Sequence, residues 1–334
     1  SGKATFDIYL PCDIELYEKE TKAPLGYVST TQREDFNTNY TNDKEALVKV
    51  ENTFKNAPTT IESYKFDSET HVMPAGNQMR ITDSEGSVVD SWTTEQGKAH
   101  VTKRLHVGET YHLQEVLAAD GYLNNLDGTL KTVDFVVKDV EEPQIVEMED
   151  DKQTGTITIT KKGEVLDGFA DGQFTYKAVT FEGASFNIYA AEDIKHPDNE
   201  TADYYKQGDL VTSNVVTKAD GTVSVEGLPL GKYTIVETVA PEGLVLDSTP
   251  ISAELNYAGQ AVAVSTTSKE KFNERQKIAL DITKLDKETQ EKLEGAEFTM
   301  YANKDIVNHD GEVIVKKDEK VSVCLLYTSD AADE

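Results

Sequence analysis

Two residue types recur at fixed places in this 334-residue chain and could do chemistry: lysines that close short alternating runs, and glutamates inside tyrosine-led strands. The lysines are Lys65 in Ser63-Tyr-Lys65-Phe-Asp, Lys161 in Ile159-Thr-Lys161-Lys-Gly and Lys284 in Ile282-Thr-Lys284-Leu-Asp. The glutamates are Glu237 in Tyr233-Thr-Ile-Val-Glu237-Thr-Val-Ala-Pro-Glu-Gly243, Glu115 in Tyr111-His-Leu-Gln-Glu115-Val-Leu-Ala-Ala-Asp-Gly121, and Glu20 in Leu16-Tyr-Glu-Lys-Glu20-Thr-Lys-Ala-Pro-Leu-Gly26. In water the amine is protonated and the carboxylate unreactive. Burial lowers a Lys pKa and raises a Glu or Asp pKa by up to ~3–5 units, so such groups become nucleophile and general acid only inside a core. Other chemistry finds no frame. The six histidines suggest no Ser/His/Asp set, phosphate loop or metal cluster, and a multiple-turnover enzyme is not expected. Cys12 and Cys324 cannot build a disulfide framework, and no Cys/His spacing suggests zinc. Asp193, Asp198 and Asp203 share a loop without the spacing of an EF-hand. No cofactor and no metal is expected.

The elements that must carry these residues repeat with them. Gly183-Ala-Ser-Phe-Asn-Ile-Tyr189 recurs as Gly295-Ala-Glu-Phe-Thr-Met-Tyr301, as Gly2-Lys-Ala-Thr-Phe-Asp-Ile-Tyr9 and, degenerately, at Gly76-Asn-Gln-Met-Arg-Ile81. Runs such as Thr156-Ile-Thr-Ile-Thr160 and Thr222-Val-Ser-Val-Glu226 alternate apolar and polar residues, the pattern of half-buried strands. Turn signals such as Ser84-Glu-Gly86 and Ala219-Asp-Gly221 punctuate them, and no long 3.6-residue period competes. The expected fold is all-β, a tandem of immunoglobulin-like β-sandwiches. Its divisions are a partial repeat over 1–57, complete repeats over 58–153 and 154–277, and a truncated repeat over 278–323. In the first, Tyr9 and Leu16 lie 7 residues apart where Tyr189 and Tyr233 lie 44 apart, so an internal deletion near Pro11–Asp13 is expected. Residues 324–334 resemble the conceptual translation of a sequencing adaptor, and the start at Ser1 without a signal peptide suggests a processed chain or a fragment. With 61 acidic against 33 basic residues the net charge is -28, which excludes nucleic acid and anionic membrane as main partners. No apolar run approaches the ~18 residues of a membrane span.

Three motifs in register resemble the B-type repeat domains of collagen adhesins and the SpaA-like, prealbumin-type domains of Gram-positive pilins. They are the Ile-x-Lys opening, the Gly-Ala-x-Phe-x-Ile-Tyr strand and the Tyr-x-x-x-Glu-x-x-Ala-Pro-x-Gly strand, and the likeness spans residues 1–323. The resemblance implies a cell-surface sandwich, often locked by a self-formed Lys–Asn or Lys–Asp isopeptide bond that an acidic residue promotes. It assigns Lys161 as nucleophile, Asn273 of Phe272-Asn273-Glu-Arg-Gln276 as acceptor and Glu237 as acid, with Lys162 as the outward neighbour. In the preceding repeat it assigns Lys65, Glu115 and Asp150, with Asp151 competing for the acceptor role. Remnants are Glu20 with acceptor Asn52 in the first repeat and Lys284 as a lone donor in the last.

The implied function is a stalk or shaft segment of an extracellular, wall-anchored adhesin or pilus-like protein, with neighbouring pilin subunits as partners. Catalysis is limited to one self-directed turnover per bond. The alternative is a module that recognises host matrix protein or glycan through loops, best offered by the insertion Lys195-His-Pro-Asp-Asn-Glu-Thr-Ala-Asp-Tyr204-Tyr205. For Tyr204 and Tyr205, core packing is the commoner outcome than exposed contact.

Overall fold

In a computed structural model the chain is described over residues 2–6, 8–40, 49–124 and 126–325. Among the described residues every regular helix-or-strand element is a strand, and no helix is long and apolar enough to cross a membrane. The chain divides into two compact units. The first comprises Ser1–Gln153, His196–Ala202 and Tyr257–Ala263; the second comprises Thr154–Lys195, Asp203–Asn256 and Val264–Glu334. Two short segments of the third expected repeat, one from its insertion, thus belong to the compact unit of the second repeat.

Unit 1 opens with a two-stranded piece, β1 (Glu15–Lys19) against β2 (Arg33–Asn37). Its sandwich has two sheets. One holds β3 (Thr60–Asp67) between β6 (His100–Lys103) and β9 (Gln144–Asp150). The other runs β5 (Val88–Thr93), β4 (Gln78–Asp83), β7 (Thr110–Leu117), β8 (Thr132–Val136). Strict alternation puts Ile61, Ser63, Lys65 and Asp67 of β3 inward and their neighbours at the half-exposed face. Ile61, Ile81, Leu113 and Met148 close the core between the sheets.

Unit 2 repeats this plan. A 17-residue β10 (Thr154–Ala170) pairs with β11 (Gln173–Thr180), β14 (Thr222–Leu228) and β17 (Val264–Asn273). The second sheet runs β13 (Leu210–Val216), β12 (Ser185–Ala190), β15 (Gly231–Val239), β16 (Ile251–Leu255). Ile157 and Ile159 of one sheet meet Phe186, Ile188 and Ile235 of the other in one core. The residues expected as a truncated repeat supply β18 (Glu297–Tyr301), β19 (Ile306–Val307), β20 (Val313–Val315) and β21 (Lys320–Leu325). Their small core of Ala302, Val315 and Val321 takes in Phe169 and Phe174 from the far end of the β10–β11 ribbon. Cys324 of the adaptor-like tail is placed in β21 opposite Phe298; residues 326–334 of that tail lie outside the described residues.

In both sandwiches the opening and closing strands are parallel neighbours. β3 runs beside β9 with Lys65 level with Met148 and Asp67 level with Asp150. β10 runs beside β17 with Lys161 level with Lys271 and Gly163 level with Asn273. The turn at Gly221 fixes the strand edge beside Lys161: its carbonyl accepts the Lys161 N–H at 2.8 Å. Gly221 has φ +77°, and a Cβ there would stand 2.5 Å from Thr180 Cβ and 2.9 Å from the Phe181 backbone nitrogen. Gly221→Ala is therefore expected to destabilise unit 2 by about 1–3 kcal/mol, read from the thermal unfolding midpoint, whereas Gly183→Ala, also at positive φ but with open space around it, costs less.

Candidate functional site: two buried lysine–carboxyl pockets

The pocket of unit 1 is built from both sheets. β3 brings Lys65 and β9 brings Asp150 on one sheet, while β7 of the facing sheet brings Glu115. All three side chains are shut off from solvent, at 4%, 0% and 0% exposure for Lys65, Asp150 and Glu115. The Lys65 ammonium lies in contact with Asp150 Oδ1 and 3.4 Å from Glu115 Oε1. Burial pushes the Glu115 carboxyl up to about 8; Lys65 opposes that push and Asp150 adds to it. Burial thus favours the protonated form of Glu115, which stands beside an amine and a carboxyl already in contact. Asp151 points out and accepts the Ser68 hydroxyl at 2.7 Å, so Asp150 is the inward member of that pair.

The pocket of unit 2 has the same plan. Lys161 comes from β10, Asn273 from the adjacent β17, and Glu237 from β15 of the facing sheet. Lys161 is fully buried, and Glu237 and Asn273 nearly so. Asn273 donates its amide N–H to Glu237 Oε2 at 2.7 Å. Glu237 Oε1 lies 3.8 Å from the Lys161 amine and, like the Asn273 carbonyl oxygen, receives no hydrogen bond. The Lys161 amine donates to the Lys162 carbonyl at 2.6 Å. Burial, with help from the nearby Lys271 charge, lowers the Lys161 pKa against the opposing pull of Glu237. Lys162 faces outward and pairs with Glu270 at 2.7 Å.

The remnant assignments fare differently. Glu20 Oε2 accepts the amide of Asn56 at 2.6 Å, while Asn52 is exposed, so the structure seats Asn56 where Asn52 was expected. A spacing signal existed in the sequence: Glu20 to Asn56 and Glu237 to Asn273 are both 36 positions, and Asn52 breaks that interval. Lys284 is exposed. Of the loop aspartates, Asp193 and Asp203 both pair with Lys206, at 3.2 and 2.7 Å. Asp198 is buried beside His196 Nδ1 at 3.1 Å. Burial would raise the Asp198 carboxyl, but hydrogen bonds from Thr201, Glu200 and Thr70 outweigh it and hold it at about 2. Tyr204 and Tyr205 pack partly buried against the core of unit 2.

Three further charged residues reach the pockets without having been picked out in the sequence. Lys131 sits 3.3 Å from Asp150 Oδ1 and also donates to the Glu149 carbonyl. Lys271 is buried two residues before Asn273, and Asp247 binds it at 2.7 Å. Strand parity alone puts Lys271 on the same face as Asn273.

A family model described as SpaA, prealbumin-like fold domain, matches residues 59–152 and 172–270. No curated relative matches the chain. Among solved structures, the Bacillus anthracis TIE protein is similar at 23% identity and a TM-score of 0.49, covering 78% of this chain and 42% of its own length. The chain therefore spans less than half of that protein. The minor pilin GBS52 of Streptococcus agalactiae aligns at 12% identity and a TM-score of 0.28 over 68% of this chain and 100% of its own. The shaft pilin SpaA of Lactobacillus rhamnosus GG aligns at 14% identity and a TM-score of 0.24 over 66% and 98%.

Removing the lysine from the unit 1 pocket exposes its acid balance. In Lys65→Met, burial and Asp150 continue to raise the Glu115 carboxyl while the opposing ammonium is gone. A folded-state pKa above the unfolded value stabilises below the unfolded pKa and loses that contribution as pH rises toward the folded one. The variant is expected to lose stability between about pH 4.5 and 8, by up to about 1.4 kcal/mol per pH unit more than Lys65→Met/Glu115→Gln, in urea titrations at a series of pH values.

Proposed function

As the chain belongs to the SpaA prealbumin-like fold family, we propose that it is a structural segment of a Gram-positive surface protein whose two sandwiches staple themselves with Lys65–Asp150 and Lys161–Asn273 isopeptide bonds. The observation that carries this reading is the convergence, twice over, of a buried lysine, a buried acid and an acceptor on the opening, facing and closing strands. Six such residues buried at random would leave unpaired charge in a low-dielectric core, which is costly unless the arrangement serves a purpose.

In unit 2 the neutral Lys161 amine attacks Asn273 Cγ. Protonated Glu237 stabilises the oxygen as charge develops there. A proton leaves the amine through Glu237 to the amide nitrogen; the Cγ–N bond breaks and ammonia departs. In unit 1 Lys65 attacks Asp150 Cγ in its acid form, Glu115 supports the carbonyl oxygen and relays the amine proton, and the hydroxyl leaves as water. Each bond is a single turnover in which the protein is its own substrate.

Such bonds serve mechanics. Each encloses nearly a whole sandwich, 85 positions from 65 to 150 and 112 from 161 to 273. By the loop-entropy account used for disulfides, closing loops of that size is worth on the order of 4–5 kcal/mol. Tension entering at one end of a domain crosses to its other end through the amide, bypassing the strands between. Amide staples of this kind suit a stalk exposed to proteases and pulling outside the cell. That reading carries the expectation of extracellular, wall-linked placement with neighbouring pilin-like subunits as partners.

Intact mass of the purified chain tests the cross-links. Two bonds predict a deficit of about 17 Da for ammonia plus about 18 Da for water. Glu237→Ala should restore the first and Glu115→Ala the second, and a full unmodified mass overturns the cross-link reading. The pH dependence adds a sign: bond formation in unit 1 requires protonated Glu115, so its rate after refolding falls as pH rises through about 8.

A further inference from the structure

The unit 2 pocket contains a second buried lysine that the bond-forming chemistry does not use. Lys271 is 6% exposed, lies level with Lys161 in the β10–β17 ladder, and shares the inward face with Asn273. Its ammonium is turned to a receptor made by one short loop: Asp247 Oδ2 at 2.7 Å and the Thr249 carbonyl at 2.9 Å. The loop is itself fixed. Thr249 N–H donates to Asp247 Oδ1 at 2.9 Å, and the Ser248 hydroxyl donates to the backbone carbonyl of Glu237 at 3.1 Å. The loop that holds Lys271 is therefore pinned to the residue that carries the catalytic acid.

We propose that Asp247 is a positioning residue that draws the Lys271 ammonium away from Glu237, leaving Glu237 to exchange protons with Lys161 and Asn273 alone. The proposal rests on the isopeptide reading of the pocket. A buried ammonium must find an acceptor. Within this pocket Glu237 Oε1 is a buried carboxyl oxygen that receives no hydrogen bond, and an ammonium arriving there would hold Glu237 as a carboxylate unable to donate to the attacked carbonyl. Asp247 prevents this from the rim, where its side chain keeps 47% exposure and the ion pair is partly hydrated. The Lys271 hydrogen bond is the largest influence holding the Asp247 carboxyl well below the usual range. In unit 1 the residue level with the nucleophile is Met148, buried and apolar, so this position of the ladder tolerates a side chain without charge.

The test uses the full chain, captured unfolded in urea directly after cell-free synthesis and refolded at fixed pH. Mass loss and the Lys161–Asn273 peptide after digestion are followed in time. Asp247→Asn is expected to slow this bond about tenfold, Lys271→Met to leave the rate near that of the parent, and Asp247→Asn/Lys271→Met to restore it. A double variant as slow as Asp247→Asn, or an unaffected Asp247→Asn, overturns the proposal. A parent chain that never loses mass overturns the cross-link reading instead. Crystals of Lys161→Met and Lys161→Met/Asp247→Asn read the positioning role without any bond. Lys271 is expected to swing to Glu237 in the second, and its staying on Thr249 overturns the role.

Discussion

Everything in this chain's chemistry depends on one pairing, the parallel ladder between the strand that opens a sandwich and the strand that closes it. Parallel neighbours cannot be joined by a hairpin; the connection must leave the sheet and return. Here it is the entire rest of the domain. A lysine near one end of the repeat is thereby placed beside an acceptor near the other, with the acid supplied from across the core by the tyrosine-led strand. None of the three groups is close to another in sequence, so no pocket exists in a partly folded domain. Long-range pairing of this kind is slow because loop-closure entropy is lost before contacts repay it. On the isopeptide proposal the same delay protects the chemistry: the amine stays solvated and protonated until the whole sandwich has closed over it, and a bond formed then would record completed folding.

The alternation that makes these strands explains both what could be read from the sequence and what could not. Tyr111, Leu113 and Glu115 on β7, and Tyr233, Ile235 and Glu237 on β15, are successive inward residues, so a glutamate continuing an apolar stripe is visible by parity alone. Lys161 continues Ile157 and Ile159 in the same way. The all-strand fold followed from such stripes. Asn56 did not, because the closing segment of the first repeat lacks a clear stripe; Asn52 is the acceptor expected from the sequence, and only the 36-position interval from Glu20 marks Asn56. Lys131, Lys271 and Asp247 were hidden for another reason. Parity places Lys271 inward beside Asn273, but its partner Asp247 lies in a loop and Lys131 reaches its pocket through a long side chain, and neither leaves a period in the sequence. Nor does local pattern foretell that His196–Ala202 and Tyr257–Ala263 belong to unit 1.

The charge of -28 takes on a different meaning beside the pockets. Most acidic residues here serve solubility and keep exposed strands from pairing with other chains. Glu115, Glu237 and Asp150 are buried almost completely, where water no longer screens them. Their cost is contained by local neutrality. Two lysines and two carboxyls meet in each pocket: Lys65 and Lys131 with Glu115 and Asp150, and Lys161 and Lys271 with Glu237 and Asp247. Within such a set a proton can pass from amine to carboxyl without creating net charge, so the neutral amine and neutral acid that the proposed bonds require are reached by an internal shift and need no ion to be imported.

The two sets differ in where the second lysine is directed, and the proposed acceptors, Asp150 and Asn273, account for the difference. An aspartate acceptor is itself an ion until it takes up a proton, so the second lysine of unit 1 can rest against Asp150 and share in its neutralisation. An asparagine acceptor carries no charge. A second lysine in unit 2 has nothing to neutralise at Asn273, and the buried carboxyl nearest to it is Glu237, which the proposed chemistry needs free to give and take a proton. Neutrality then requires a fourth group outside the reacting set, and Asp247 at the rim fills that place. On the proposed chemistry, exchange of an acid acceptor for an amide alters more than the leaving group: the balancing carboxyl moves from the acceptor position to a loop, and that loop is tied through the Ser248 hydroxyl to the backbone of Glu237.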